Sequence, residues 1–339
     1  MTADRTIPDY LWDPAAEPDP DVVALERRLA GLRFDPAANP LDVTRLVVVP
    51  IAPRRRWRRP LVAMAIAASL LIAASVGLWQ WRWSWPEGRA WTLRSQSLDA
   101  KLEIGRGVTV PQADQAIANI GRIGTMRLGG GTSLELRATR GRRHRVRMLD
   151  GDMHVRVWAP PGSLVVETPA GDVIDLGCEF VLSVSGTTSA VRVLSGWVQI
   201  ANNVDEVLIP AGASSEMTAD LPPGTAVFDD AAAGFREAVR RVETDGGDTG
   251  AIDVTLRLAR VRDVYTLLVL ADRNPALAPA LLARASELSA PPGDVTIGRI
   301  LRGDRSALWT WSNSLPLPPP KSKWWLNWRD ALPFWLTTR

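Results

Sequence analysis

The sequence predicts a mainly β protein with one transmembrane helix and a C-terminal helical hairpin region. Three patterns support this prediction: an unbroken apolar run from Leu61 to Trp79, short segments of period-2 alternation after Trp91, and helical spacing of apolar residues between 251 and 290. Turn signals recur about every ten residues in the β region. This spacing favours a β-sandwich or β-roll, because strands joined by helical crossovers need longer connections.

The composition argues against nucleic acid as a partner. The 339 residues carry a net charge of only +3, and much of the local positive excess flanks the apolar run. Lysine is rare while arginine, alanine and proline abound, which is typical of a GC-rich bacterial genome. With Cys178 as its single cysteine, the chain can form neither an internal disulfide nor a cysteine-based metal cluster.

Residues 1–59 are predicted to be a cytoplasmic tail with a short helix over 20–34. Asp19 can cap this helix and Pro20 suits its first turn. The candidate partner-binding residues form one apolar stripe at helical spacing: Val22, Leu25, Leu29 and Leu32. So short a helix is marginal alone, so the stripe needs a protein partner or the membrane surface, unless the segment is a frayed tail.

Residues 60–81 are predicted to be the transmembrane helix. At about 1.5 Å per residue the apolar run spans roughly 28 Å, close to the thickness of a bilayer's hydrocarbon core. Representative membrane-embedded residues are Leu61, Ile66, Leu71, Leu78 and Trp79. Arginines precede the run at positions 54–56, 58 and 59, and tryptophans follow it at 81, 83 and 85. This arrangement predicts a single-pass protein of the bacterial inner membrane with a cytoplasmic N-terminus and an extracytoplasmic C-terminus. A cleavable signal peptide is less consistent with the length of the charged region.

Residues 91–218 are predicted to form the β domain. Alternation is clear in 132–136, 145–148 and 154–158, and turn signals separate such segments. A hairpin at Asp150-Gly151 would place His154 opposite Arg147. The arginine-rich run over 140–147 is expected to be a hairpin that is either simply solvated or in contact with an anionic polymer or lipid head group.

Helices are predicted after the β domain. A linker helix over 228–243 should open at Asp229 and Asp230, and a helical hairpin should occupy 251–290, with one helix running through Leu256 and Leu268 and the next starting at Asn274-Pro275. The Pro- and Trp-rich tail over 316–339 is too short to span a bilayer, so it packs on a neighbour or lies at an interface.

The sequence offers no motif for catalysis. It lacks a metal-binding histidine pair, a Gly-x-Ser-x-Gly elbow, a phosphate loop and a dinucleotide fingerprint. We therefore expect neither enzymatic activity nor a cofactor or metal site. Cys178 is expected to be a buried, inert thiol in a strand.

Four segments of the β region carry a recognisable pattern. They are VETPAG at 166–171, DLGCEFV at 175–181, VRVLSGWV at 191–198 and LIPAG at 208–212. In order and spacing they resemble the FecR family of single-pass membrane regulators that work with extracytoplasmic-function sigma factors. Its pattern is a Thr-Pro strand, a Leu-Gly-Thr-x-Phe strand, a Val-x-x-Gly-x-Val hairpin and a closing Gly turn. Here the matching residues are Thr168, Pro169, Leu176, Gly177, Cys178, Phe180, Gly196, Val198 and Gly212, with Cys178 where the family usually has Thr.

The resemblance implies a signal-transducing function. The β domain would sense an envelope signal, for example from the periplasmic signalling domain of a TonB-dependent receptor, and the cytoplasmic tail would act as an anti-sigma element in transcription regulation. The cytoplasmic part departs from the best-known members because it lacks their Trp-rich helical domain and offers only the short helix. The alternative is an envelope binding or scaffold protein without a transcriptional role.

Overall fold

The computed structural model describes residues 19–33, 35, 37, 58–97, 99–245 and 248–317. The chain divides into two compact units, Met1–Ala68 and Ser69–Arg339, with the division inside a long helix. Several sequence predictions lie outside the described residues: those for the extreme N-terminal tail, for the arginines at 54–56 and for the Trp-rich segment beyond 317.

The N-terminal unit contains the predicted short helix. Helix α1 covers Pro20–Leu29 and continues as one 3-10 turn, Ala30–Leu32. The Asp19 carboxylate accepts a hydrogen bond of 2.9 Å from the backbone N–H of Asp21, which satisfies one of the free donors at the helix start. The predicted cap is therefore present.

The long helix α2 covers Arg58–Trp83. Its segment Ala63–Trp81 has 19 residues and is apolar enough to cross a membrane, and the side chains of this segment are exposed. It is the one helix of this kind among the described residues, and it fits a single-pass membrane protein.

The described residues of the second unit form fifteen strands. Their bounds are β1 Trp91–Arg94, β2 Asp99–Leu102, β3 Gly107–Thr109, β4 Ala116–Ile120, β5 Gly124–Leu128, β6 Ser133–Arg140, β7 Arg143–Val157, β8 Leu164–Thr168, β9 Gly171–Asp175, β10 Glu179–Ser185, β11 Thr188–Ser195, β12 Trp197–Ala201, β13 Glu206–Pro210, β14 Ala213–Thr218 and β15 Val227–Phe228.

These strands form two sheets that share β7. The first has the order β2-β1-β4-β5-β7-β10-β11-β14-β15 and the second β3-β6-β7-β8-β9-β12-β13. Every pairing is antiparallel except that of β7 with β8. The mainly β fold with an apolar helix and C-terminal helices is thus confirmed.

Strand β7 crosses from one sheet to the other at Gly151. Residues before Gly151 pair with β6 and β8, whereas Gly151 and the residues after it pair with β5 and β10. Gly151 has φ +105°, and the buried positions change from even numbers (His144, Val146) to odd ones (Val155, Val157) across it. Both halves of the strand therefore face one core.

The predicted hairpin at Asp150-Gly151 is wrong for this reason. An Asp-Gly pair supplies the positive φ that a hairpin turn needs. Here the positive φ of Gly151 instead allows a single fifteen-residue strand to bend. His154 consequently lies opposite Val181 of β10, and not opposite Arg147.

The C-terminal helices pack on the β core. They are α3 Ala233–Thr244, α4 Thr249–Leu258, α5 Val264–Arg273, α6 Ala278–Leu288, α7 Ile297–Leu301 and α8 Arg305–Ser314. The Tyr265 hydroxyl of α5 donates to the Leu208 carbonyl of β13 at 2.7 Å, and the Thr266 hydroxyl donates to the Ala226 carbonyl at 2.9 Å. Side chains of the strands and of these helices form one continuous core.

Two helix predictions need correction. Helix α3 begins at Ala233 rather than at Asp229, because the carboxylates of Asp229 and Asp230 are engaged by arginines instead of capping the helix. The apolar run through Leu256 and Leu268 is split between α4 and α5, so residues 251–290 hold three helices and not two.

The split has a local cause at Asp263. Its fully buried carboxylate accepts hydrogen bonds of 2.9 and 2.8 Å from the backbone N–H and Nε of Arg260. This capping interaction starts a new helical segment, the 3-10 turn Val261–Asp263 that leads into α5.

Candidate functional site

The family-pattern residues meet where the chain changes sheets between β11 and β12. Gly196 separates them, and they do not pair with each other: β11 pairs with β10 and β14, whereas β12 pairs with β9 and β13. The expected Val-x-x-Gly-x-Val hairpin is therefore wrong, and Gly196 is a corner between sheets. A Cβ at Gly196, which has φ +73°, would lie 2.6 Å from the carbonyl oxygen of Gly177. Only glycine fits at this crossing.

The facing turn between β9 and β10 is held by the buried carboxylate of Asp175. Its Oδ1 accepts from the backbone N–H of Gly177 at 2.8 Å, from that of Cys178 at 2.9 Å and from the Cys178 thiol at 2.8 Å. Gly177 has φ +84° in this turn. Cys178 lies just before β10 rather than in a strand, and its burial agrees with the expectation of an inaccessible thiol. Its thiol donates where the family's threonine would place a hydroxyl.

Thr168 organises the neighbouring turn between β8 and β9. Its hydroxyl donates to the Gly171 carbonyl at 2.9 Å and accepts from the backbone N–H groups of Ala170 and Gly171 at 3.2 Å. Pro169 is exposed at the tip, whereas Phe180 and Val198 are fully buried and Leu176 packs against the core. These residues build the domain's interior and turns.

Gly212 joins the β domain to the C-terminal helices. It has φ +80°, and a Cβ there would lie 2.6 Å from the guanidinium of Arg262. That guanidinium also stacks 4.3 Å from the ring centroid of Phe228 and forms an ion pair with Asp230. The structure thus gives the family-pattern residues structural roles. A surface that binds a partner must be sought elsewhere in the molecule.

The two histidines do not form a site together. His144 is buried beside Trp91, with Nδ1 2.8 Å from the Thr139 hydroxyl, and burial lowers its pKa to about 4. His154 lies on the outer face of the first sheet with Nε2 2.9 Å from Glu179. Within the described part of the chain no group of three or more His, Cys, Asp or Glu side chains is placed to hold a metal ion.

A cleft opens between the outer face of the first sheet and helix α3. Its volume is about 460 Å³, with an apolar floor that includes Val181, Ala190 and Val227. Adjacent strands β10, β11, β14 and β15 supply the floor and α3 supplies one wall, so residues far apart in sequence converge here. The site was not predicted from the sequence because only the register of four strands brings its residues together.

Charged groups of both signs surround the cleft. Arg192 pairs with Asp229 at 2.8 Å, and Arg236 donates to the Asp229 carbonyl at 2.7 Å. Glu243 lies deeper and accepts from the backbone N–H of Thr225 at 2.5 Å, and burial raises its pKa. An apolar floor with fixed charges at its rim suits recognition of a ligand or peptide side chain. In the described residues the cleft lining contains no histidine or cysteine that could serve as base or nucleophile.

The predicted stripe on α1 is exposed. Leu25, Leu29 and Leu32 are 53%, 49% and 82% exposed, and Val22 is half-buried. The three leucines of the stripe are therefore available to a partner.

Comparison with known proteins identifies the β domain. Residues 122–199, from the β4–β5 turn through most of β12, match the family model described as FecR protein. No curated protein matches the chain significantly.

Two crystal structures, each described as "a putative anti-sigma factor from Parabacteroides distasonis ATCC 8503", share similarity with the chain. One is 17% identical with a TM-score of 0.31 and covers 40% of this chain. The other is 18% identical with a TM-score of 0.23 and covers 47%. The chain spans 65% and 63% of their lengths, less than two thirds of each. The resemblance drawn from the sequence motifs is confirmed by the family match, and the chain carries a FecR-family domain over residues 122–199.

Proposed function

We propose that the chain is a single-pass regulator of the bacterial inner membrane that modulates an extracytoplasmic-function sigma factor. The observation that carries this proposal is a FecR-family domain in the same chain as one membrane-length apolar helix. On the other side of that helix in sequence lies α1, which has an exposed apolar stripe. FecR-type domains belong to regulators, and we propose no catalytic role.

The proposed orientation places the N-terminus in the cytoplasm and the FecR-type domain outside it. Arginines at 54–56, 58 and 59 precede the apolar segment, and positive charge flanking a span is retained on the cytoplasmic side. Residues 1–59 would then be the cytoplasmic tail, 60–81 the span and 91–218 the extracytoplasmic sensor.

The output contact is proposed to be the apolar stripe on α1. A ten-residue helix is marginally stable in water, and burying exposed leucines such as Leu25 and Leu29 against a partner would supply the missing stabilisation. Helix-in-groove binding of this kind uses anchors spaced like Val22, Leu25, Leu29 and Leu32. The sigma factor is the proposed partner.

The input is proposed to come from an envelope protein, such as the signalling domain of a TonB-dependent receptor, acting on the extracytoplasmic domain. The cleft between the first sheet and α3 supports this, since it offers a concave surface with an apolar floor and charged rim.

Transcript profiling of cells carrying a stripe variant tests the output. Leu25→Asp with Leu29→Asp places two charges on the stripe, and we expect it to change a discrete set of transcripts that share one promoter type. The matched control is Val23→Asp with Ala30→Asp, which adds the same charges outside the stripe, about 120–140° around the helix from its centre at 100° per residue.

The control variant should leave the transcripts as in wild type. Unchanged transcripts in both variants, with normal membrane levels of each protein, would contradict the regulatory proposal and favour an envelope scaffold.

A further inference from the structure

The end of helix α2 is fastened to the FecR-family domain by Arg122. This residue lies in the turn between β4 and β5, and its Nη1 donates to the carbonyls of Trp81 at 2.5 Å and Ser84 at 2.8 Å. Its guanidinium also stacks 4.0 Å from the ring centroid of Trp81. Trp81 is the last residue of the apolar segment. The β4–β5 turn therefore lies where that segment ends.

The turn between β6 and β7 lies at the same place. The backbone N–H of Gly141 donates to the Trp85 carbonyl at 2.9 Å, and that of Gly88 donates to the Thr139 carbonyl at 3.2 Å. The ring of His144, near the start of β7, comes within 2.9 Å of the position that a Cβ of Gly121 would take, so the β4–β5 turn also lies close to this end of β7.

This end of the domain is strongly basic. We define the basic end as Arg89, Arg122, Arg140, Arg142 and Arg143. Four of them are exposed, and Arg122 is half-buried against the helix end. One carboxylate, that of Glu87, faces them among the described residues of these turns, 3.6 Å from Arg140. The basic end thus carries a large excess of positive charge.

Along β7 the positive charge is neutralised away from the helix end but not next to it. Further along β7, Arg145 and Arg147 both pair with Glu167, at 2.9 and 3.3 Å. By contrast, Arg142 and Arg143 form no ion pair with any described residue. Arg140 and Arg143 are direct cross-strand partners, an arrangement of like charges that is unfavourable unless an anion lies between or above them.

We propose that the basic end rests on the membrane surface and binds the head groups of anionic phospholipids. Its position next to the end of the apolar segment, beside Trp81 and Trp85, is that of the interfacial layer where tryptophan and arginine concentrate. Guanidinium groups bind phosphate in a bidentate manner. This inference depends on α2 spanning a membrane and is independent of any sigma-factor partner.

Hydrogen exchange of the full-length protein in nanodiscs tests the proposal. Amide exchange in residues 139–145 is compared between discs of neutral phosphatidylcholine and discs with roughly one-third phosphatidylglycerol. Each arginine near an anionic surface strengthens binding about fivefold, so we expect exchange to be at least about fivefold slower in the anionic discs at low salt. High salt should remove the difference.

Matched variants separate contact from net charge. Arg142→Glu with Arg143→Glu should abolish the lipid-dependent protection, and the milder Arg142→Gln with Arg143→Gln should weaken it. Arg257→Glu with Arg302→Glu changes the charge equally at exposed positions in the C-terminal helical region and should retain full protection. Exchange elsewhere in the β domain reports whether each variant is folded.

Three outcomes would overturn the proposal. Equal exchange of the wild-type protein in both kinds of disc would show no lipid contact. Equal loss of protection in the Arg142→Glu with Arg143→Glu variant and in the Arg257→Glu with Arg302→Glu variant would show a general charge effect. Protection in neutral discs by free glycerol phosphate would show a soluble-anion site instead of a membrane contact.

Discussion

Replacing Gly196 by alanine tests whether the FecR-type domain depends on the corner between its sheets. Two costs add at this position. A non-glycine residue at φ +73° costs about 1–2 kcal/mol in backbone conformation. The new Cβ would also lie 2.6 Å from the Gly177 carbonyl oxygen and 3.2 Å from the Cα of Cys178. Both neighbours are backbone, so relief requires the corner itself to move, at about 1–3 kcal/mol.

Gly186 provides the matched control. It lies in the turn between β10 and β11 with φ +55°, and a Cβ there would meet nothing within 4 Å. Gly186→Ala therefore incurs only the conformational cost of about 1–2 kcal/mol. The two variants share the chemical change and the class of backbone conformation, so their difference reports the close approach of the two turns.

Thermal unfolding of the full-length protein, followed by circular dichroism, measures this difference. In a domain of this size 1 kcal/mol shifts the Tm by about 2–4 °C. Gly196→Ala, at about 2–5 kcal/mol in total, should lower the Tm clearly more than Gly186→Ala does. If the two variants melted together, or if Gly196→Ala melted like wild type, the assigned packing of the corner would be refuted.

Three further predictions follow from the same structure. Gly177→Val should destabilise the domain by at least about 1–2 kcal/mol, because a β-branched residue is strained at φ +84°; an unchanged melting curve would refute this. Lowering the pH from 6.5 to 4 should reduce stability by about 3 kcal/mol through His144, whose pKa is lowered to about 4 by burial. The unfolded chain takes up the proton first, so this stability is complete above pH 6.5 and is lost as the pH falls; His144→Gln should flatten that part of the pH profile, and an identical profile would contradict the buried neutral imidazole. Arg122→Ala should speed amide exchange in residues 80–86 by removing two charge-assisted hydrogen bonds to the helix end, whereas Arg106→Ala, an exposed arginine in the β2–β3 connection, should not; equal exchange in the two variants would argue against the fastening.

Local features were predictable because local physics determines them. The Asp19 cap, the apolar segment of α2, the alternation of the strands and the turn at Arg140-Gly141 all follow from propensity and periodicity within a few residues. The family motifs could be recognised for the same reason, since their glycines and buried apolar residues lie close together in sequence.

Errors arose where distant contacts decide the outcome. Asp150-Gly151 and Ser195-Gly196 both have the composition of hairpin turns, yet one bends β7 between the sheets and the other marks a change of sheet. A positive φ is common to all of these structures, so sequence alone does not separate them. One further error has a local cause: the break between α4 and α5 depends on the Arg260–Asp263 side-chain contact, which a period of apolar residues does not reveal.

The candidate sites also differ in whether local sequence or distant contacts determine them. The stripe on α1 was predictable from spacing, and its leucines are exposed. The cleft and the basic end require the register of several strands, because each draws its residues from separate turns or strands. The arginine-rich run over 140–147 is evident in the sequence. Only the structure shows that Glu167 neutralises Arg145 and Arg147, which lie farther from the helix end.

The most direct test of the account is site-specific photocrosslinking from α1 in living cells. A photoreactive amino acid is introduced at Leu29, on the stripe, or at Ala30, outside it and about 100° around the helix from Leu29, in the full-length membrane protein, and the crosslinked partners are identified by mass spectrometry. If the stripe binds a sigma factor, we expect a sigma factor to be recovered from Leu29 and much less from Ala30. Recovery of only envelope proteins or lipid, or equal recovery from both positions, would contradict it.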